Sequence, residues 1–122
     1  MNSLFIICGA PGVGKTTYAK MLACKTGAMF VDIDLHFEPV VRAGLRAASM
    51  DEYDRDSPAF KTHFRQPIYD AMLQIAGSNL PTTDVVLSGP FTQEIRQQDW
   101  HEKIAEQFNC NVYVRWLICG EE

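Results

Sequence analysis

The residues best suited to chemistry lie near the start of the chain, directly after an apolar run. Residues 9–16 read GAPGVGKT and match the spacing G-x-x-x-x-G-K-[ST] at every defined position. Glycines let the backbone N–H groups of such a loop converge on one anion, and the dipole of a following helix adds positive potential. The stretch therefore predicts a loop that binds the phosphates of a nucleoside triphosphate, with ATP favoured.

The expected phosphate contacts come from the loop and the first residues of the helix that follows it. They are Gly9, Ala10, Pro11, Gly12, Val13, Gly14, Lys15, Thr16 and Thr17. Lys15 is expected to bridge the β- and γ-phosphates, which makes it a candidate catalytic residue as well. The Thr16 hydroxyl is expected to ligate Mg²⁺. The alternative is a glycine-rich strand–helix turn that holds no ligand.

Two carboxylates follow the second apolar run of the chain. Asp32 and Asp34 are two residues apart, so on a strand their side chains would share one face. Beside a triphosphate, one carboxylate could hold Mg²⁺ or its waters while the other accepts the proton of an attacking hydroxyl. Both are therefore candidate catalytic residues. The alternative is that one or both only cap the next helix.

Alternating strand and helix patterns surround these residues. Short apolar runs predict strands at residues 4–8, 28–33, 85–87 and 112–118. Helical spacing predicts helices at residues 15–26 and 39–48, a longer one from Ser57 to about Pro81 that Pro67 kinks or splits, and one capped by Asp99. Strands that alternate with helices predict an α/β fold with a parallel sheet, which binds ligands at the carboxyl ends of its strands.

Composition and charge exclude several classes of protein. The 122 residues predict one domain, and the net charge of -4 without a basic run argues against nucleic-acid binding. The longest apolar stretches are strand-sized and no signal peptide is evident, so we expect a cytoplasmic domain that does not enter a membrane. The cysteines lack metal-site spacing and are expected to be free thiols packed as small apolar residues: Cys8, Cys24, Cys110 and Cys119.

Taken together, the motifs resemble the small-molecule P-loop kinases. That group includes kinases similar to shikimate kinase and gluconate kinase, the chloramphenicol phosphotransferases and the zeta-toxin kinases, and many relatives are labelled AAA family ATPases. The resemblance spans residue 4 to about residue 118. It rests on the phosphate loop, Asp32 and Asp34, Phe64-Arg65, and Ser88-Gly89-Pro90-Phe91. It implies a three-layer fold with strand order 2-3-1-4 and transfer of the ATP γ-phosphate to a hydroxyl of a small molecule.

The resemblance also implies roles for individual residues. Asp32 would join Thr16 near Mg²⁺, and Asp34 would touch or deprotonate the acceptor. Arg65 would bind an anionic or polyhydroxylated acceptor, and the backbone of Gly89 would contact it. The alternative for Arg65 is a solvated residue on a helix surface.

Two departures from the resembling kinases bear on activity. Ser88 stands where many of them carry an aspartate that holds Mg²⁺ through water. The arginine-bearing lid and the fifth strand that follow strand four have no counterpart, so we expect a chain truncated before the lid, with low activity. The edge formed by residues 111–118 would then be open and would favour self-association. Alternatives to a kinase are a nucleotide-binding module without useful catalysis and an ATPase coupled to a partner.

Overall fold

Four short apolar segments form a parallel sheet at the centre of the molecule. A computed structural model describes residues 1–10 and 12–118, so the expected contact at Pro11 and the thiol of Cys119 lie outside the described residues. The strands are β1 (Ser3–Gly9), β2 (Met29–Asp32), β3 (Val85–Ser88) and β4 (Asn111–Leu117). They run parallel in the order β2-β3-β1-β4, which confirms the predicted topology.

Helices connect the strands and cover the sheet. They are α1 (Lys15–Thr26), α2 (Ile33–Ala47), α3 (Pro58–Phe60), α4 (Gln66–Asn79) and α5 (Trp100–Phe108). A π turn (Lys61–Arg65) joins α3 to α4, and a 3-10 turn (Glu94–Arg96) lies between β3 and α5. Each parallel pair of strands needs such a crossover, so the helices lie on the two faces of the sheet.

The core has one cluster on each face of the central strand. Leu4 and Ile6 of β1 pack on the face that carries Met72 of α4, whereas Ile7 packs with Ala19 of α1 on the opposite face. Leu4, Ile6 and Ile7 are fully buried. Burial on both faces is expected of a central strand in a parallel sheet. Because β1, β2 and β3 pair in parallel, their carboxyl ends lie at the same edge of the sheet.

The second helix begins earlier than its pattern suggested. The prediction placed a strand to residue 33 and a helix from Pro39, but β2 ends at Asp32 and α2 begins at Ile33. The Asp32 carboxylate accepts hydrogen bonds from the backbone N–H groups of the first turn and so caps α2. Pro39 lies inside the helix, where it leaves one carbonyl without an intrahelical donor.

The predicted break at Pro67 is confirmed. Pro67 has no backbone N–H to donate, and its ring crowds the carbonyl four residues earlier. The chain adapts by widening into the π turn and starting α4 at Gln66, so that Pro67 lies in the first turn of a new helix. The Ser57 hydroxyl accepts a hydrogen bond from the Phe60 N–H at 3.1 Å, as expected for the predicted cap of α3.

Two local expectations were wrong. Asp99 precedes α5, but its side chain makes no capping hydrogen bond and instead pairs with Lys103 at 3.5 Å. Cys8 and Cys110 are buried free thiols as expected, whereas Cys24 is exposed. Burial raises the pKa of the Cys8 thiol to about 11, which keeps it protonated.

The outer strand β4 contrasts with the rest of the sheet. It lies at the edge, and no strand of the described residues pairs with its outer side. Tyr113 and Trp116 are 47% and 48% exposed, so two large aromatic side chains of this strand are uncovered among the described residues. None of the described helices is both long and apolar enough to cross a bilayer.

Candidate functional site

The loop between β1 and α1 has the backbone shape that its glycines predict. Gly14 adopts a φ of 94°, a left-handed conformation that turns the chain into α1. A Cβ atom on Gly9 would lie 2.6 Å from the Leu117 carbonyl oxygen, so only glycine allows β1 to pass so close to β4. No side chain of the described residues caps the first turn of α1, which leaves its N–H groups facing the loop.

Lys15 lies folded against this loop. Its side chain comes from the first residue of α1, the residue is 8% exposed, and its Nζ donates a hydrogen bond to the Ala10 carbonyl at 2.9 Å. A neutral carbonyl is a weak partner for a buried ammonium, and a phosphate in the loop would be a stronger one. The structure thus brings the predicted lysine to the predicted anion site.

Asp32 links the loop to the second strand. It is 1% exposed, and its Oδ2 accepts a hydrogen bond from the Thr16 hydroxyl at 2.7 Å. Its Oδ1 accepts from the N–H groups of Asp34 and Leu35 at 2.8 and 3.0 Å. One carboxylate therefore caps α2 and fixes the Thr16 hydroxyl at the same time.

Asp32 and Asp34 do not share the face of a strand, contrary to the sequence-based expectation. Asp34 lies in the first turn of α2 and is exposed. Partial burial of its carboxyl raises the pKa of Asp34 above the usual value, the negative charges of Asp32 and Glu38 act in the same direction, and Lys15 and Arg55 oppose them. A raised pKa makes Asp34 a stronger base at neutral pH than an ordinary aspartate.

His36 was not singled out from the sequence. Its Nδ1 accepts a hydrogen bond from the Asp32 backbone N–H at 2.8 Å, and its ring packs edge-on against Phe30. The position four residues after the cap could have indicated this contact, because residues at that spacing lie on one side of a helix. The contact fixes the backbone at the end of β2, next to the carboxylate that holds Thr16.

A buried hydroxyl lies beside this carboxylate. Ser88 ends β3 in register with Asp32 of β2 on one side and Ile7 of β1 on the other. It is fully buried, and its Oγ makes no hydrogen bond within the described residues. The described residues contain no group of three or more His, Cys, Asp or Glu side chains placed to hold a metal ion by themselves.

A cavity of about 550 Å³ opens next to the loop. Its walls come from the start of α1 and α2, the segment that includes α3 and the π turn, α4, and the chain after β3. The lining residues are Lys15, Ile33, Asp34, Glu38, Val41, Arg55, Asp56, Phe60, Lys61, Arg65, Ile68, Tyr69, Pro90, Thr92, Gln93 and Arg96. Lys15 and Asp34 thus line one cavity, together with apolar and aromatic side chains and with further charged ones.

Arg65 lines the cavity but is neither free nor solvated. Its two terminal nitrogens donate to the two carboxylate oxygens of Glu94 at 3.0 Å each, and both side chains are only 12% exposed. Its guanidinium also lies 4.3 Å from the centre of the Tyr69 ring. The hydrogen bonds with Glu94 raise the pKa of Arg65 further. The alternative of a solvated helix residue is therefore wrong.

The backbone of Gly89 is also already used in part. Its N–H donates a hydrogen bond to the Ile7 carbonyl at 3.1 Å, continuing the pairing of β3 with β1, and the residue is buried. This N–H is consequently not available to an acceptor molecule. The N–H is used because β3 extends its pairing with β1 by one hydrogen bond, and the predicted backbone contact of Gly89 with an acceptor stays a prediction.

Two of the charged side chains in the cavity remain available to a ligand. Arg55 pairs with Glu38 at 2.7 Å, as Arg65 does with Glu94. Lys61 and Arg96, by contrast, form no ion pair or side-chain hydrogen bond with any residue that the structure describes. A lysine and an arginine on exposed turns carry no motif, so only the fold reveals that they line the same cavity.

Comparison with known proteins gives one family. Residues 4–122 match the family described as AAA domain. None of the curated protein sequences matches the chain significantly.

Several solved structures that share this fold are described as kinases. A provisionally named kinase from Chloroflexus aurantiacus has a TM-score of 0.71 at 15% identity, with 96% of this chain and 59% of that chain covered. A sugar kinase from Janibacter has a TM-score of 0.62 at 16% identity, with 97% and 61% covered. A gluconokinase from Sinorhizobium meliloti has a TM-score of 0.58 at 18% identity, with 98% and 59% covered. The chain thus spans about three fifths of the length of these structures, and at such identities the likeness concerns the fold.

Proposed function

The chain belongs to the AAA domain family, with a P-loop kinase-like fold, and we propose that it transfers the γ-phosphate of ATP to a hydroxyl group of a small molecule. The observation that carries the proposal is that Lys15 of the phosphate loop and the Asp34 carboxylate line one cavity. A phosphate donor held by the loop and an acceptor held in the cavity would meet between these two side chains. Free thiols at the described cysteines favour a reducing compartment, so we place the protein in the cytoplasm.

ATP would bind at the loop through backbone N–H groups and the Lys15 ammonium. The uncapped first turn of α1 supplies donors and the positive end of the helix dipole. On binding, Lys15 would exchange the Ala10 carbonyl for phosphate oxygens, which are charged and therefore stronger partners. The family comparison supports a phosphate-binding loop, and the choice of ATP is part of the proposal.

The polar groups behind the loop fit a Mg²⁺ ion that arrives with the nucleotide. Thr16 and Asp32 present oxygen atoms 2.7 Å apart, and the partnerless Ser88 hydroxyl marks the same place as able to take one more polar contact. Mg²⁺ prefers oxygen ligands, keeps several waters, and usually needs one or two protein groups plus phosphates. Thr16 would contact the ion directly, and Asp32 would hold it or its waters. When bound, the ion would neutralise charge on the transferring phosphate.

Asp34 would act as the base for the acceptor hydroxyl. Its exposed carboxylate lies at the cavity end of α2, and its raised pKa favours proton acceptance. The Asp32 carboxylate, by contrast, is occupied by the cap and by Thr16. The buried Asp32 would therefore hold Mg²⁺ or its waters, and the exposed Asp34 would accept the proton.

The rest of the cavity suggests what the acceptor carries. Lys61 and Arg96 could bind an anionic group, and Asp34 and Asp56 could accept hydrogen bonds from hydroxyls. Phe60 and its apolar neighbours would contact the carbon skeleton. We propose that Arg65 positions the wall of the cavity through Glu94, and that it contacts the acceptor only through the face or edge that Glu94 leaves open.

Measurement of ATP consumption with and without a library of hydroxylated metabolites tests the proposal. Turnover that depends on one acceptor, with the phosphorylated product identified by mass spectrometry, supports the kinase. ATP hydrolysis that no acceptor stimulates would contradict it and favour an ATPase, and nucleotide binding without consumption would favour a binding module. Lys61→Ala should raise the KM of an anionic acceptor while leaving that of ATP unchanged, with Lys103→Ala on the exposed surface of α5 as control.

A further inference from the structure

The charged side chains around the cavity fall into ion pairs and single charges. Glu38 on α2 pairs with Arg55 at 2.7 Å, and Arg65 pairs with Glu94 at 3.0 Å. Hydrogen bonds hold both pairs, and each pair is neutral as a whole. The remaining charged side chains of the cavity therefore determine which charges a ligand must carry.

Beyond these pairs and Lys15 of the phosphate loop, the cavity has charged side chains of both signs. Lys61 and Arg96 are positive, and Asp34 and Asp56 are negative. None of these four forms an ion pair or a side-chain hydrogen bond with a residue that the structure describes. Asp34 is the proposed base, so Asp56 is the negative charge that remains for another group of the ligand.

The backbone around Asp56 is held by local contacts, although the residue is exposed. Arg55 donates hydrogen bonds to the carbonyls of Glu52 and Asp54 at 2.9 and 2.7 Å. The Asp54 carboxylate accepts hydrogen bonds from the N–H groups of Asp56 and Ser57 at 3.0 and 2.9 Å. The Ser57 hydroxyl in turn caps α3. The Asp56 carboxylate thus lies at the cavity on a backbone that is held on both sides.

The signs of the unpaired charges restrict the acceptor. A molecule with only an anionic group would pair with Lys61 and Arg96 but would share the cavity with the Asp56 carboxylate, and like charges repel. A molecule with only a cationic group would leave both basic side chains without a partner. A molecule that carries one group of each sign complements both sets of charges.

We propose that the acceptor is a hydroxylated zwitterion, with an ammonium that Asp56 binds and a carboxylate or phosphate that Lys61 and Arg96 bind. The inference rests on the proposed function, because it names the class of molecule that would receive the phosphate. A carboxylate forms a stronger hydrogen bond with an ammonium than with a neutral hydroxyl. Asp34 stays available to the reacting hydroxyl. Hydroxy amino acids and phosphorylated amino sugars are the two sources of such molecules.

The first test compares acceptors that differ only in charge, with the parent chain and Mg·ATP. Homoserine is matched with its deaminated and its decarboxylated analogue, and glucosamine phosphate is matched with glucose phosphate and glucosamine. In one of the two sets, the zwitterion should show a kcat/KM about tenfold higher than either analogue, because it makes one more charged contact. A single-charge analogue that is used as well as its zwitterion would overturn the inference and leave the proposed function standing. Transfer to none of the six compounds would overturn the inference, and transfer to none of the wider library of hydroxylated metabolites would contradict the proposed function too.

Variants at the two ends of the ligand provide the second test. Asp56→Asn should lower kcat/KM for the zwitterion about fivefold and leave the deaminated analogue unaffected, whereas Arg96→Gln should lower both and spare the analogue that lacks the anionic group. The exposed Asp56 side chain has no partner among the described residues, so the melting temperature of Asp56→Asn should equal that of the parent. Glu106→Gln, which removes the same charge from the exposed surface of α5, is the control and should change none of these values. If Asp56→Asn lowers kcat/KM equally for the zwitterion and for its deaminated analogue, Asp56 does not bind the ammonium and the inference is wrong.

Discussion

The two sides of the cavity differ in how their charges are held. Toward the phosphate loop, Lys15 and Asp32 are 8% and 1% exposed, and hydrogen bonds to the protein fix both of them. Toward the opposite wall, Lys61 and Arg96 are exposed and lack ion-pair partners among the residues that the structure describes. Fixed groups suit a ligand that is always the same, whereas exposed, unpaired groups can adapt to the molecule that they bind.

This difference suggests that the two sides of the cavity have different functions. A preorganised loop stabilises phosphate charge without reorganising during the reaction. The choice of acceptor would depend on the other wall, where changing one exposed side chain disturbs no buried hydrogen bond. Variants on the two sides should therefore separate nucleotide binding from acceptor use.

The largest effect is expected at Asp34. Asp34→Asn should lower the rate of phosphoryl transfer by about a hundredfold to ten-thousandfold, because an amide cannot accept the proton, and should leave ADP affinity unchanged. Because the pKa of Asp34 is raised, the rate of the parent should increase with pH through a value above that of an ordinary aspartate. Initial rates across pH test both statements. Parent-like transfer by Asp34→Asn would mean that Asp34 is not the base.

The next effect concerns stability, at the ion pair of Arg65 and Glu94. Arg65→Met leaves the Glu94 carboxylate nearly buried without its partner and should lower the free energy of unfolding by about 3–5 kcal/mol. The double variant Arg65→Met/Glu94→Leu should recover most of that loss. Denaturant melts provide the measurement. A single variant that is as stable as the parent but has a raised acceptor KM would instead make Arg65 a direct substrate contact.

A smaller effect is expected at the outer edge of β4. Arg115 is the one charged residue of β4, and its side chain donates a hydrogen bond to the Tyr18 hydroxyl on α1. No other charged side chain of β4 opposes the approach of a second strand. We propose that two copies of the chain pair there, because an unpaired edge beside exposed apolar side chains favours another strand. Trp116→Lys should weaken self-association by roughly tenfold in sedimentation experiments. Val40→Lys, at an exposed apolar residue of α2, should not, and a parent protein that stays monomeric would refute the pairing.

The parts of the fold that follow local rules could be predicted from the sequence. The phosphate loop has a motif whose spacing has one physical explanation, and the strands around it are short apolar runs. The start of α2 was missed because Asp32 was interpreted as the end of a strand, although Ile33, Phe37, Val41 and Leu45 follow at intervals of four residues. An aspartate between a strand and a helix fits both interpretations, and only the hydrogen bonds distinguish them.

Contacts between distant residues could not be predicted in this way. Arg65 and Glu94 are 29 residues apart, and nothing local in either segment indicates that they pair. The same holds for Ser88, whose missing partner is visible only once β2 and β3 lie side by side. In both cases burial on folding, rather than the residue type, decides what the side chain can do.

Thermal unfolding with Mg·ADP tests most directly whether the loop binds a nucleotide. At a ligand concentration one hundred times the Kd, binding should stabilise the parent by about 2.7 kcal/mol and raise its melting temperature by several degrees. Lys15→Ala should remove most of this shift, whereas Lys20→Ala, an exposed lysine on the same helix, should retain it. An unchanged melting temperature of well-folded parent protein at millimolar Mg·ADP would contradict the account.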